Sequence, residues 1–410
     1  MAIPPLFRKS TRTVSELLTL FDSLMTAKDK KKEIALVMYD LSAAFDTVSP
    51  AILLEKLKLY GFKKKAMEWI TSYLSERKQA VVMQGKISTM IDLELGTPQG
   101  SRLSPLLFVI LMADLDLWIE RSDLVNFADD TQSSVIEDSQ EEMIRTVQEE
   151  SRRVTSFFAG VNLVNNADKA ALLYNSKRRG CNITIEGVGG ETLTSVHTEK
   201  LLGLHISASL DWREHIEKVC KALKQRLGIL RRLKYKVPKS KLQIIAEAIF
   251  TSKIRYGLAV YGNPRTSEGE TEDTEMKSLQ VLQNDMIRLI NGYTRSDHIN
   301  MKELRAKTRL LSVNQLSVYH TVLEVYNVVW NNSSMQLKKK MQKMQGSAYV
   351  TRSEVRGDLP IPTKPSEGCL SFSYKGPKLW NLVPKHIREE TEQTTFKAEL
   401  KAWIMKEMPD

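Results

Sequence analysis

The stretch "KKEIALVMYD", residues 31–40, leaves the chain few ways to fold. Six consecutive apolar residues, Ile34 to Tyr39, rise out of a charged start and stop on Asp40. A strand with one wet face alternates apolar and polar residues, whereas an unbroken apolar run belongs to a strand buried in the middle of a sheet. Such a strand needs helices to cover it. The next residues supply one: Ser49-Pro50 is an N-cap and first-turn signal for a helix over "AILLEKLKLYG", and Gly61 stops it. The expectation is an α/β (α+β) fold with an aspartate at the end of its central strand.

A second carboxylate feature follows. In "NFADDTQSS" (126–134), Asp129 and Asp130 are adjacent between short apolar flanks that suit a β-hairpin. Asp is common in turns, and a hard divalent cation also collects anionic oxygens at one point. The pair by itself fits either. A strand beside a hairpin in one sheet could bring Asp40, Asp129 and Asp130 together. Three neighbouring acids without counter-charge are unfavourable. Two Mg²⁺ ions would offset that repulsion and clamp the attacking and leaving oxygens of an in-line phosphoryl transfer.

Mixed signals continue to about residue 207. "KKAMEWITSYLSER" reads as a helix, "QAVVMQGKISTMIDLEL" as a hairpin turning near Gln84-Gly85, and "GTPQGSRLSP" as a loop feeding a buried helix. "SQEEMIRTVQEESRRVTSFFAG" opens on a Ser139/Glu142 capping box. "KAALLYN", "NITIEG", "ETLTSV" and "KLLGLHIS" are strand-like, the middle two joined through Val188-Gly189-Gly190. Long amphipathic helical patterns then run to about 332. A Lys/Met/Gln-rich linker and a compact tail complete the chain, so three domains are expected: 1–207, 208–332 and 333–410.

With 42% hydrophobic and 27% charged residues, the chain has material for a core, and a formal net charge of +11 favours polyanionic partners. The charge is concentrated. Lys218–Lys241 holds ten basic residues and no acid, with Val219, Leu223, Leu227 and Leu230 at helical spacing. One face is then core and the other a positive ridge, which is either a solvated surface or a track for phosphates. The longest apolar run, 103–119, carries Asp114 and Asp116 and reads as a buried helix rather than a membrane span. The first residues lack the features of a secretory signal, so an intracellular protein is expected. Cys181, Cys220 and Cys369 form no CxxC pair, which argues against a disulfide framework or a cysteine zinc site.

In order along the chain, "MYDLSAAFDTV", "GTPQGSRLSPLLF", "NFADDTQ", "NADKAALLYN" and "KLLGLHISASLDWREHI" resemble successive motifs of reverse transcriptases. They look most like those of non-LTR (LINE-like) retrotransposons, and "LQNDMIRLINGY" and "FSYKGPKLWNLVPKHIRE" resemble segments that follow the polymerase in such elements. The resemblance implies a right-hand polymerase, with partial fingers and palm over 1–207, a helical thumb and connection over 208–332, and a C-terminal extension over 333–410. It implies an RNA-directed DNA polymerase, a nucleotidyltransferase that adds deoxynucleoside triphosphates to a DNA primer on an RNA template. Two Mg²⁺ ions serve the reaction, with Mn²⁺ as a substitute.

By the same resemblance, Asp40 and Asp129 ligate both metals and Asp130 supports them. Lys169 protonates the pyrophosphate leaving group, a general-acid role. Leu41 and Ser42 lend backbone groups to the triphosphate. Phe45 either excludes a ribose 2′-hydroxyl or is an ordinary core residue, and Gln99 and Gly100 lie along the template and incoming nucleotide. "LLGLHI" resembles a primer-gripping hairpin. The thumb would ride on the RNA–DNA duplex through Lys218, Lys221, Lys224, Arg231, Arg232 and Lys234. Asp46, within "FDTV", is either structural or catalytic. Nucleus or cytoplasm, without a membrane, is the implied setting, and the sequence is silent on oligomeric state.

The departures matter as well. Only 39 residues precede Asp40, and Arg8, Lys9 and Arg12 match just the end of the upstream fingers. No endonuclease or cysteine–histidine knuckle motif is found, so the resemblance is to an N-terminally truncated element. Two main readings follow: an active polymerase core, or a truncated, non-catalytic remnant that only binds nucleic acid. A third, a structural or interaction protein without nucleic acid, is opposed by the clustered positive charge.

Overall fold

The computed structural model describes residues 13–127, 129–176, 182–186, 192–267, 270, 273–342, 357–362 and 371–410. The chain divides into two compact units, one over Lys31–Glu199 and the other over Lys200–Asp410. The first described helix, α1 (Thr13–Asp29), belongs to the second unit.

The first unit begins with β1 (Glu33–Tyr39), α2 (Pro50–Leu59) and α3 (Lys64–Leu74). Four short strands follow: β2 (Arg77–Gln79), β3 (Val82–Met83), β4 (Lys86–Ile87) and β5 (Ile91–Leu93). Then come α4 (Ser104–Met112), β6 (Asp123–Phe127), β7 (Asp130–Glu137), α5 (Gln140–Gly160), β8 (Ala171–Asn175), β9 (Thr184–Glu186) and β10 (Thr192–Val196). Six of these strands make one sheet in the order β6-β7-β1-β8-β10-β9, so β1 is central and antiparallel to both neighbours. All seven of its residues are buried. Ala35, Val37 and Tyr39 join a core built from Leu53 of α2, Ile70 of α3, Phe108 of α4 and Phe158 of α5. Ile34, Leu36 and Met38 are buried on the opposite pleat. This is the double burial that the unbroken apolar run requires.

Local signals act where the sequence places them. Ser49 accepts from Ile52 N ahead of Pro50, and Ser139 accepts from Glu142 N. The β3–β4 hairpin reverses at Gln84-Gly85, with φ of 51° and 78°, the positive values that a tight hairpin turn demands. The apolar run around 103–119 is a nine-residue core helix, α4, and no helix among the described residues is long and apolar enough to cross a membrane. "KLLGLHIS", strand-like by its apolar content, has the hairpin form that its resemblance to a primer-gripping hairpin implies. It is two strands, β11 (Thr198–Leu201) and β12 (Leu204–Ser207), reversed by Leu202-Gly203 at φ 45° and 85°. Residues 188–190, Cys181 and Cys369 lie outside the described residues, as do Arg8, Lys9 and Arg12; Cys220 is buried.

The second unit is helical: α6 (Arg213–Leu233), α7 (Lys239–Ala246), α8 (Ser252–Arg255), α9 (Leu258–Tyr261), α10 (Thr274–Asn291), α11 (Met301–Thr308), α12 (Val313–Val329) and α13 (Met335–Gln342). It ends with α14 (Phe372–Trp380), α15 (Lys385–Arg388) and α16 (Gln393–Glu407). Residues 208–332 and 333–410, set apart in the sequence, share this one unit because α14 and α16 cover α12. The Tyr326 ring stacks on Phe396 at 4.1 Å.

A buried polar cluster crosses the same unit. Asp22 of α1 has no exposed side-chain surface; it pairs with Lys340 Nζ at 2.8 Å and accepts from Ser373 N at 2.6 Å. Lys375, also buried, donates to Val260 O at 3.2 Å and Gly262 O at 2.9 Å. Burial lowers its ammonium from the ordinary 10.5 to about 7, while the Asp22 charge pulls the other way. Between pH 7 and 10.5 the unfolded chain therefore holds more protons than the folded one, and stability rises with pH across that window. Urea midpoints taken from pH 7 to 9.5 are expected to climb, and to climb less in Lys375→Met.

Candidate active site

Three strands meet where β1 ends. Tyr39 stands opposite Thr131 of β7, and Met38 opposite Ala171 of β8. One further step along the first register puts Asp40 beside Asp130, whereas the second ladder ends at Ala171 and Lys169 lies in the 3-10 turn Ala167–Lys169 before it. Residues directly opposite in antiparallel strands point to one face. Asp40 and Asp130 therefore share the face away from the helix-covered side of Tyr39. An ion pair brings Lys169 to the same place: its Nζ lies 3.4 Å from Asp40 Oδ2. Phe127 pairs with Asp130, so Asp129 sits in the turn between β6 and β7 and is exposed. The Asp40 side chain is 38% exposed. Both carboxylates reach solvent at one end of the sheet.

The backbone beside Asp40 is held firmly. The Tyr39 hydroxyl lies 3.1 Å from both Ser133 Oγ and Ser151 Oγ, and burial raises its phenol pKa. Leu41 bridges to Asn165, and Asn166 N donates to Asp40 O at 2.7 Å. The same short ladder takes up the Ser42 N–H, which donates to Val164 O at 2.9 Å. Phe45 is half-buried, its ring centroid 5.0 Å from that of Phe108, so it packs on the core edge.

The loop feeding α4 is laced onto this turn. Gly96 N donates to Val48 O at 2.7 Å and Thr97 N to Phe45 O at 2.8 Å. Only glycine allows so close a seat: Gly96 has φ +84°, and a Cβ there would stand 2.9 Å from the Asp46 backbone. Arg77 Nη2 donates to the carbonyls of Leu95 and Gly96 at 2.7 and 2.6 Å. Ser104 Oγ donates to Pro98 O, and the Tyr73 hydroxyl to Ser101 Oγ, each at 2.6 Å. Gln99, exposed on the loop, directs Nε2 at both oxygens of Asp46, at 2.9 and 3.1 Å. Gly100 has φ +77° and open space where a Cβ would be. Arg77 and Tyr73 escaped the sequence reading, since nothing near them signals that folding brings them to residues 95–101.

Among the described residues, no group of three His, Cys, Asp or Glu side chains could hold a metal ion by itself. A hard cation that keeps waters and substrate phosphates needs only one or two protein carboxylates. Asp40 and Asp129 fit that requirement in kind and number.

Residues 4–206 match the reverse transcriptase (RNA-dependent DNA polymerase) family. This part of the chain is a reverse transcriptase domain. Members of the family generally use divalent metal ions. The similarity extends past the domain. The probable RNA-directed DNA polymerase from transposon X-element of Drosophila melanogaster is 26% identical over 365 residues, which is 85% of this chain and 38% of that protein. The RNA-directed DNA polymerase from mobile element jockey of Drosophila funebris is 27% identical over 304 residues, 70% of this chain and 31% of that protein. These relatives identify the domain as LINE-like, and the chain spans well under half of their length. Among solved structures, telomerase from Candida albicans in complex with a TWJ fragment of telomeric RNA aligns over 82% of this chain and 52% of that one, at 11% identity and a TM-score of 0.42.

The basic ridge lies on α6 in the second unit. Ile216, Val219, Leu223, Leu227 and Leu230 are buried, while Lys221, Lys224, Arg231 and Arg232 face solvent. Two cations of the run are less available than its composition suggests. Lys218 pairs with Glu214 one turn back, at 2.7 Å, and Arg226 donates to Ile249 O. Lys234 lies past the helix end with its ammonium over the Tyr235 ring.

Proposed function

We propose that this chain is the RNA-directed DNA polymerase core of a non-LTR retrotransposon, extending a DNA primer on an RNA template with deoxynucleoside triphosphates. The observation that carries this reading is the end of β1, where the β7 register brings Asp40 beside Asp130 and the Asp129 turn, and an ion pair holds Lys169 at Asp40. Asp40 and Asp129 would hold two Mg²⁺ ions, with Mn²⁺ as a substitute. Ions bound there supply Lewis-acid stabilisation of the attacking and leaving oxygens. Asp130 adds negative charge beside them. Lys169 keeps an ammonium at Asp40, placed to give a proton to the departing pyrophosphate.

Phe45, held against Phe108, is a fixed ring five residues after Asp40 and suits exclusion of a ribose 2′-hydroxyl. Leu41 and Ser42 flank the triphosphate, and with the Ser42 amide engaged, its hydroxyl is the group left to contribute. Gly100 leaves its backbone open to close approach. The exposed cations of α6 attract the duplex backbone without reading sequence. Such an enzyme would work inside the cell, in nucleus or cytoplasm, where its template and primer are found.

Primer extension tests the reading, with an RNA template annealed to a DNA primer, Mg²⁺ and deoxynucleotides. Elongation is expected, stopped by a chelator and restored by excess Mg²⁺ or Mn²⁺. A primed template that binds stably yet never elongates with either ion would overturn the proposal and leave nucleic-acid binding alone.

A further inference from the structure

We propose that Asp46 is a positioning residue that fixes the Gln99 carboxamide for the incoming nucleotide, an inference that rests on the polymerase reading above. A glutamine on an exposed loop samples several rotamers unless something holds it. Here both oxygens of Asp46 accept from Nε2, at 2.9 and 3.1 Å, a charge-assisted contact. A carboxylate only accepts hydrogen bonds, so the amide nitrogen must face Asp46, and Oε1 becomes the acceptor left for another group. Asp46 is itself seated, with its N donating to Ala43 O at 2.8 Å, six residues after Asp40.

The loop backbone is held by other groups. Arg77 holds the Leu95 and Gly96 carbonyls, Val48 and Phe45 take the Gly96 and Thr97 amides, Ser104 holds Pro98, and Tyr73 holds Ser101. Removing the Asp46 carboxylate therefore frees one side chain and leaves the loop in place. The contact joins the segment that follows the metal-binding Asp40 to the loop that precedes α4, so Gln99 takes its orientation from the same turn that carries Phe45.

Steady-state extension on a primed RNA template tests this. Asp46→Ala is expected to raise the deoxynucleotide KM roughly five- to tenfold, with kcat changed by less than about twofold. Asp46→Asn keeps an acceptor for Nε2 and is expected within about twofold of wild type. Gln99→Ala should match Asp46→Ala, and the double variant should be no worse than either single one, since they remove one contact. Additive losses, or a fall in kcat with KM untouched, would show a structural role and overturn the inference. A wild type that extends while Asp46→Ala keeps its KM overturns this inference alone. A wild type that never extends overturns the polymerase reading and this inference with it.

Discussion

Replacing Asp129 by alanine is expected to abolish primer extension, by roughly 10³-fold or more, without weakening the fold. Metal-borne stabilisation of transition-state charge amounts to several kcal/mol, and each ~1.4 kcal/mol is tenfold in rate. Asp129 is exposed in the β6–β7 turn, and substitutions at such positions usually change stability by no more than about 0.5 kcal/mol. Alanine also relieves the repulsion between Asp129 and Asp130. Single-turnover extension and a thermal melt on the same preparation separate the two effects. Primed-template binding should survive, because the α6 cations lie in the other unit. Asp130→Asn should cost less, since the proposed ligands Asp40 and Asp129 remain. An Asp129→Ala enzyme that extends at the wild-type rate would place the metal elsewhere and remove the basis of the proposal.

Asp22→Ala is expected to destabilise the second unit by roughly 1–3 kcal/mol, the scale for leaving a buried hydrogen-bond partner unsatisfied. The Asp22 side chain has no exposed surface, and its loss strips Ser373 N of its acceptor and removes the charge that favours the protonated form of Lys375. Lys340 is 40% exposed and can turn to water, so its share of the loss is the smaller one. Asp22→Asn keeps an acceptor for Ser373 N but no charge and should fall between wild type and alanine. Adding Lys375→Met to Asp22→Ala should recover little, because without Asp22 the buried Lys375 already sheds its proton at pH 7. Urea unfolding at pH 7 measures all four proteins. A midpoint for Asp22→Ala equal to wild type would mean that the cluster contributes nothing to stability.

These two aspartates show how differently sequence and structure speak. Asp129 was visible as one of an adjacent pair, in order with four other motifs. Asp22, within "TLFDSLM", looks like any polar residue on a helix, and its partners lie 318 and 351 residues away. Asp46 is similar. Its place in "FDTV" was apparent, but its hold on Gln99 spans 53 residues and follows from how Gly96 seats against it. "KLLGLHIS" shows the converse: its apolar content alone suggests one strand, while its resemblance to a hairpin matches the two strands that positive φ at Leu202 and Gly203 makes.

By itself, the sequence determined the features that depend on near neighbours. These are the buried run of β1, the caps at Ser49 and Ser139, the reversal at Gln84-Gly85, the apolar stripe of α6, and the motif order that marks a reverse transcriptase. Caps, turns and periodicity act over a few residues, so they can be read locally. Only the tertiary structure decided which groups meet: Lys169 with Asp40, Gln99 with Asp46, Lys218 with Glu214 rather than solvent alone, and Asp22 with Lys340. Those pairings follow from strand register, helix packing and burial, which emerge only when segments distant in the chain are brought together.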